Sequence, residues 1–128
     1  MPRVAHFEIH ATEPAKAAEW YRELFGWKMQ HMAHIDYWLI DTSEGQEPGI
    51  NGGIVKRQGP KPTDGQAVNA FMCTVNVPSL DSYFARAQKL GGTVALPKMG
   101  IPGVGWVAYC KDPDGNIFGL HERDPKAK

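Results

Sequence analysis

The chain has 128 residues, 42% of them hydrophobic and 22% charged, which is ordinary usage for one globular domain and excludes a disordered or fibrous chain. Lys+Arg and Asp+Glu are each 14, so the formal charge is zero and there is no basic surplus for nucleic acid or an anionic membrane. No apolar run approaches the ~20 residues of a spanning helix, and the opening MPRVAHFEIHATE has no secretory hydrophobic region, which predicts a cytoplasmic protein.

Val4 to His10 alternates as a strand, with His6, Glu8 and His10 on one face and Phe7 and Ile9 on the other. A helix follows, with Thr12 as its expected cap, Pro14 in its first turn and Gly26 as its stop. Ala17, Trp20, Tyr21, Leu24 and Phe25 form its apolar stripe. Three strands come next, at about Trp27 to Met32, Asp36 to Thr42 and Ile50 to Arg57. The polar, Pro- and Gly-rich segment Gln58 to Gln66 is the best break in the chain.

The pattern then restarts. A strand over Asn69 to Val77 leads to Ser79 as a helix cap, and Leu80, Tyr83, Phe84, Ala87 and Leu90 form the second stripe. Gly91-Gly92 ends that helix, and strands follow at about Thr93 to Leu96, Val104 to Lys111 and Asn116 to Glu122. Asp112-Pro113-Asp114-Gly115 makes a tight turn between the last two. Cys73 and Cys110 fall inside strands, far from any CxxC spacing, and read as two buried thiols of a reducing compartment.

The order is therefore βαβββ, linker, βαβββ, an α+β domain over residues 1–128, with module one at about 4–57, the linker at 58–66 and module two at about 69–122. Gly26 and Gly91 are 65 residues apart, and the two helices match in place. Each module alone would leave a sheet face uncovered. The expectation is two curved mixed sheets paired around a cleft.

His6-Phe7-Glu8-Ile9, the helix ending Trp20-Tyr21-Arg22-Glu23-Leu24-Phe25-Gly26-Trp27, the Leu90-Gly91-Gly92-Thr93-Val94 exit and Lys111-Asp112-Pro113-Asp114-Gly115-Asn116-Ile117-Phe118-Gly119-Leu120 resemble the vicinal oxygen chelate superfamily. That superfamily includes glyoxalase I, extradiol dioxygenases, bleomycin resistance proteins and methylmalonyl-CoA epimerase. Tyr37-Trp38-Leu39-Ile40 and Gly49-Ile50-Asn51-Gly52-Gly53 also match its uncharacterised glyoxalase-like subgroup. The resemblance implies the glyoxalase/bleomycin resistance fold, a homodimer, and a divalent metal bound by the first and last strands of each module. Such a metal chelates two adjacent substrate oxygens as a Lewis acid.

Of the four ligand positions so implied, His6 satisfies the first, fifteen residues before Tyr21. The second falls on Ile50 to Arg57, where Asn51 is the only polar inward candidate; the third falls on Met72 and the fourth on Gly119. One imidazole and no carboxylate do not hold a hard divalent ion, so glyoxalase I, dioxygenase and related metal chemistry are not expected.

The expected cleft residues are His6, Glu8, Asn51, Met72, Trp106, Gly119 and His121, with Glu8 the candidate general base and Trp106 placed to stack on a planar ligand. His10 is expected in solvent at the strand end. The functional expectation is a small organic ligand bound without cofactor or metal. The alternative is a metal-dependent lyase, isomerase or dioxygenase holding Zn, Ni, Mn or Fe through His6, Glu8 and His121. Against that set, residues two apart on a strand stand ~7 Å from one another. His31, His34, Lys56-Arg57 and the tail Arg123 to Lys128 read as solvated surface.

Overall fold

A computed structural model describes residues 2–69 and 71–128; Ala70, within the predicted strand Asn69–Val77, lies outside the described residues, as does Met1. Eight strands and two helices follow in the order β1 (Arg3–Ala11), α1 (Pro14–Phe25), β2 (Lys28–Met32), β3 (Tyr37–Asp41), β4 (Asn51–Lys56), β5 (Met72–Asn76), α2 (Leu80–Lys89), β6 (Thr93–Ile101), β7 (Gly105–Lys111) and β8 (Ile117–Arg123). The expected α+β class and the duplicated βαβββ order are what the chain adopts. It forms two compact units, His6–Phe71 and a second made of Met72–Lys128 with the start of the chain up to Ala5.

The first unit holds a sheet in the order β2-β3-β4-β1, with β1 parallel to β4 and the other pairs antiparallel. The second repeats this as β6-β7-β8-β5, with β5 parallel to β8. The parallel pair in each case is the module's first and last strand, joining His6–Ala11 of β1 to β4 and Thr74–Asn76 of β5 to β8.

Both helices cover one face of their own sheet. In the first unit Phe7, Ile9, Ala11, Ala18, Ile40 and Ile54 are buried together, with Tyr21, Trp27 and Trp38 against them. The second unit buries Val77, Leu80, Ala108, Cys110 and Leu120, with Tyr83, Phe84, Trp106 and Phe118 around them. Of the two cysteines, only Cys110 is fully buried; Cys73 is intermediate, and both are free.

Several local expectations are corrected. Thr12 does not cap α1: Glu13 holds the cap position, with no side-chain hydrogen bond, and Pro14 starts the helix with its missing N–H. At the other end Gly26 takes a left-handed φ of 74° and donates to Arg22 O. The α1 stripe is narrower than its spacing suggests. Ala17, Ala18 and Tyr21 meet the sheet, whereas Trp20, Leu24 and Phe25 remain 58%, 56% and 55% exposed. Strand β6 runs on to Ile101, through a stretch whose Pro97 and Gly100 read as loop. It lies at the end of its sheet, and its register shifts between Val94 and Leu96 and again between Leu96 and Met99, which is where a proline is tolerated.

The charged segments are also less free than they read. Lys56 Nζ donates to Thr12 O at 2.7 Å and Arg57 Nη2 to His10 O at 2.7 Å, tying the β1–α1 turn to the end of β4. In the tail, Ala127 is buried, its carbonyl accepts from Gly103 N–H, and Asp124 accepts from the Trp106 indole at 3.0 Å. His31 stacks on Trp38 at 4.4 Å and reaches Asp36 at 3.0 Å.

Ser79 does cap α2, its Oγ accepting from Ser82 N–H. Ser79→Ala should therefore lower unfolding free energy by about 1 kcal/mol in urea titrations, while Thr12→Ala stays within about 0.5 kcal/mol of the parent. A larger loss at Thr12 would reverse the assignment.

Candidate functional site

Strand β1 alternates as expected. Phe7 and Ile9 enter the core beneath α1, so His6, Glu8 and His10 stand on the helix-free face of the first unit. They are joined there by a residue noted above only as the start of the Tyr37-Trp38-Leu39-Ile40 match. Tyr37, the first residue of β3, donates its phenolic proton to Glu8 Oε2 at 3.1 Å and lies 3.0 Å from His6 Nε2. The phenol has one proton, and the carboxylate takes it; the phenol oxygen must then accept from His6, which places a proton on Nε2. The direction of the chain is thus His6 to Tyr37 to Glu8.

Glu8 has only 14% of its side chain exposed, and its second oxygen lies 3.3 Å from His10 Nε2. That contact lacks hydrogen-bond geometry, since His10 Nε2 is buried with no hydrogen-bond partner. His10 keeps 37% of its side chain exposed, as expected near a strand end, although its Nε2 is covered. A carboxylate this covered needs donors, and Tyr37 supplies one.

The glycines of β4 make this contact possible. Glu8 pairs in register with Gly53, so any side chain at 53 would rise on the same face. A Cβ there would overlap the Tyr37 ring and hydroxyl. The adjacent Gly52 serves the opposite face, where a Cβ would come within 2.7 Å of the Phe7 ring. Consecutive glycines in a strand mark close approach, and here each side of the sheet uses one. Asn51 shares the face of His6, its register partner, but its Oδ1 is engaged by Thr42 N–H at 2.9 Å. It anchors the β3–β4 connection.

The second unit has its own helix-free face, carrying Met72, Thr74 and Asn76 of β5 beside Gly119 and His121 of β8. Gly119 pairs with Thr74 as Gly53 pairs with Glu8. A Cβ at 119 would lie 2.6 Å from Thr74 Oγ1 and 3.0 Å from the Tyr109 ring, so the space a longer side chain would need is already filled. Met72 is buried. His121 Nδ1 lies 3.0 Å from Asn76 Oδ1, which fixes that nitrogen as the protonated one and leaves Nε2 as the acceptor. Burial holds the His121 pKa below its ordinary value, with Glu122 opposing the shift.

Trp106 is not on this face. It alternates with Gly105 and Val107 onto the helix side, where it packs on the Leu80 and Cys110 cluster. Its indole is held by Asp124, and Lys98 Nζ sits 4.8 Å from the ring centroid. The stacking role expected of it fails because strand parity points it the other way.

The structure thus divides the expected residues into His6, Glu8 and Asn51 in one unit, and Met72, Gly119 and His121 in the other. Within either unit, among the described residues, no three His, Cys, Asp or Glu side chains are grouped as a metal ion would require. The last-strand positions that the resemblance implies do not fit a metal: the volume beside Gly119 is taken by Thr74 and Tyr109, and the Asn51 side-chain oxygen is held by Thr42 N–H.

The sequence profile of the glyoxalase-like domain matches residues 6–121. The chain belongs to the glyoxalase-like domain family. Among curated proteins no sequence relative matches. Solved structures do. A glyoxalase/bleomycin resistance protein/dioxygenase superfamily member from Vibrio splendidus 12B01 aligns with a TM-score of 0.66 at 10% identity, covering 95% of this chain and 99% of that one. Methylmalonyl-CoA epimerase from Mycobacterium tuberculosis aligns at 0.64 and 16% identity, covering 95% and 88%. A protein described as NAD-dependent benzaldehyde dehydrogenase from Legionella pneumophila aligns at 0.61 and 14%, covering 93% and 98%. These descriptions name different chemistries, and at such identities the likeness establishes the fold alone. The fold they share is the one that the motifs of this glyoxalase-like chain implied.

The lowered His121 pKa has a consequence for stability. The unfolded chain takes up this proton more readily than the folded one, so stability is whole above pH ~6.5 and is lost as pH falls below it. His121→Gln should flatten that part of a stability-against-pH profile between about pH 7.5 and 5. An unchanged slope would mean that His121 carries no such shift.

Proposed function

We propose that this glyoxalase-like protein binds a small organic molecule through the polar row His6, Tyr37 and Glu8, without the metal that serves its better-known relatives. The observation that carries this reading is the hydrogen-bond chain itself. His6 Nε2, one of the two nitrogens that this side chain could offer a metal, is engaged by Tyr37, whose hydroxyl is in turn committed to Glu8. A row of donors and acceptors on a strand face, with its histidine and tyrosine already hydrogen-bonded, suits hydroxyl, amide or carbonyl groups of an organic ligand better than a bare cation. Thr74 and Tyr109 beside Gly119 support the same reading, because they fill the space where the resemblance implies a last-strand ligand.

If the ligand is turned over, Glu8 is the group for a general base, and Tyr37 joins it to His6. The metal-dependent lyase, isomerase or dioxygenase reading would instead require His6 to turn from Tyr37. A second copy of the chain is the proposed protein partner, since Trp20, Leu24 and Phe25 leave an apolar face on α1 that a homodimer would cover. Nucleic acid and membrane are not among the proposed partners, given the balanced charge and the absence, among the described residues, of any helix long and apolar enough to cross a bilayer. A cytoplasmic location is proposed with them.

Elemental analysis of protein purified without chelator tests the reading. Divalent metal should stand well below one equivalent per chain, and EDTA should leave Tm unchanged. One equivalent of Zn, Ni, Mn or Fe, lost in His6→Ala, would overturn it.

A further inference from the structure

Gly105 of β7 stands to His121 as Gly53 stands to Tyr37: a Cβ there would lie 2.7 Å from His121 Nε2. The imidazole thus reaches from β8 over a position with no side chain. Its two nitrogens differ. Nδ1 gives its proton to Asn76 Oδ1 at 3.0 Å, which leaves a lone pair on Nε2. Among the described residues Nε2 has no hydrogen-bond partner, and it is not one of the buried atoms so left, which are His10 Nε2 and Arg57 Nε. It therefore keeps access to solvent. The lowered pKa of the ring, caused by burial, keeps that lone pair free at neutral pH.

The strand beyond is apolar on the same face. Gly105 pairs in register with Ile101 of β6, and Val107, the β7 partner of His121, pairs with Met99. Val107 is buried, whereas Ile101 and Met99 are 38% and 48% exposed. Neighbouring strands stand ~5 Å apart, so a six-membered ring anchored at Nε2 extends from β7 onto β6.

We propose that this helix-free face of the second unit binds a neutral phenol, its hydroxyl donating to His121 Nε2 and its ring lying against Met99 and Ile101. The unpartnered acceptor selects the head group. An ionised carboxylate has no proton to offer the lone pair. An ammonium would lose hydration against apolar side chains, and Arg123, two residues beyond His121 on the same face, opposes a second cation. A metal ion would find a single imidazole, since among the described residues no three His, Cys, Asp or Glu side chains are grouped. A phenol is a stronger donor than an aliphatic alcohol, and its ring edge suits the Met99 sulfur. Asn76 is the positioning residue, because it fixes which nitrogen accepts.

The test is a titration of the ¹⁵N-labelled full chain with p-cresol, with 4-methylanisole as the control that lacks the hydroxyl proton. Amide shifts are expected at Met99, Ile101, Gly105, Val107 and His121. p-Cresol should bind about tenfold tighter than the control, the contribution of one hydrogen bond. It should also move the His121 Nε2 resonance upfield, which 4-methylanisole should not. His121→Phe keeps a ring without an acceptor and should abolish the preference. Asn76→Leu should weaken it several-fold, as the competent tautomer loses population. Should His121→Phe fail to fold, the Nε2 resonance of the unaltered protein decides. Equal affinity for the two probes, no binding of p-cresol, an unmoved Nε2 resonance, or a preference that survives His121→Phe would each overturn the proposal. Shifts confined to the strands of His6, Tyr37 and Glu8 would overturn it too, while leaving the reading of that row intact.

Discussion

Strand β4 lacks side chains at two consecutive positions, and both faces of the first sheet are built into that gap. Phe7 fills it beneath α1, on the side of Gly52, and Tyr37 fills it on the helix-free side, over Gly53. Tyr37 can lie flat enough to reach a carboxylate on a strand two places away only because Gly53 has no Cβ in its path. Glu8 can be largely covered only because Tyr37 reaches it. His6 is then oriented by the same hydroxyl.

The duplication gives this arrangement a counterpart. The last strand of each module carries a glycine opposite the second polar position of the first strand: Gly53 opposite Glu8, Gly119 opposite Thr74. In both, a tyrosine from the neighbouring strand moves into the freed volume, Tyr37 in one case and Tyr109 in the other. At each glycine a ring from within the sheet therefore fills the space that a longer side chain would need. A single back-substitution such as Gly119→Glu would have to displace Thr74 and Tyr109 before it could offer an oxygen to anything.

The fold was legible because periodicity and punctuation agree along the chain. Alternation in β1, the glycine stops at Gly26 and Gly91-Gly92, and the Asp112 to Gly115 turn each read as what they form. The site was legible only in part. His6 and Glu8 could be placed by strand parity, and parity counted from the correct strand start would also have sent Trp106 to the helix side. Tyr37 could not be found in this way. Its role depends on a ring crossing from β3 over β4 to β1, a contact between residues 31 and 29 positions apart. The visible signal was Gly52-Gly53, an expensive pair within a strand, which had meaning only once its neighbours were known. The extent of α1 burial escaped for a related reason: helical spacing identifies a stripe but not how much of it the sheet can cover.

The central claim is that Tyr37 organises this row, and the protonation of His6 reports on it most directly. A long-range ¹H–¹⁵N correlation spectrum of the imidazole nitrogens at about pH 8, where an ordinary histidine is neutral, distinguishes the tautomers. The account predicts that His6 carries its proton on Nε2, and that this fixed tautomer is lost in Tyr37→Phe. A proton on Nδ1, or a tautomer mixture unaffected by Tyr37→Phe, would contradict it.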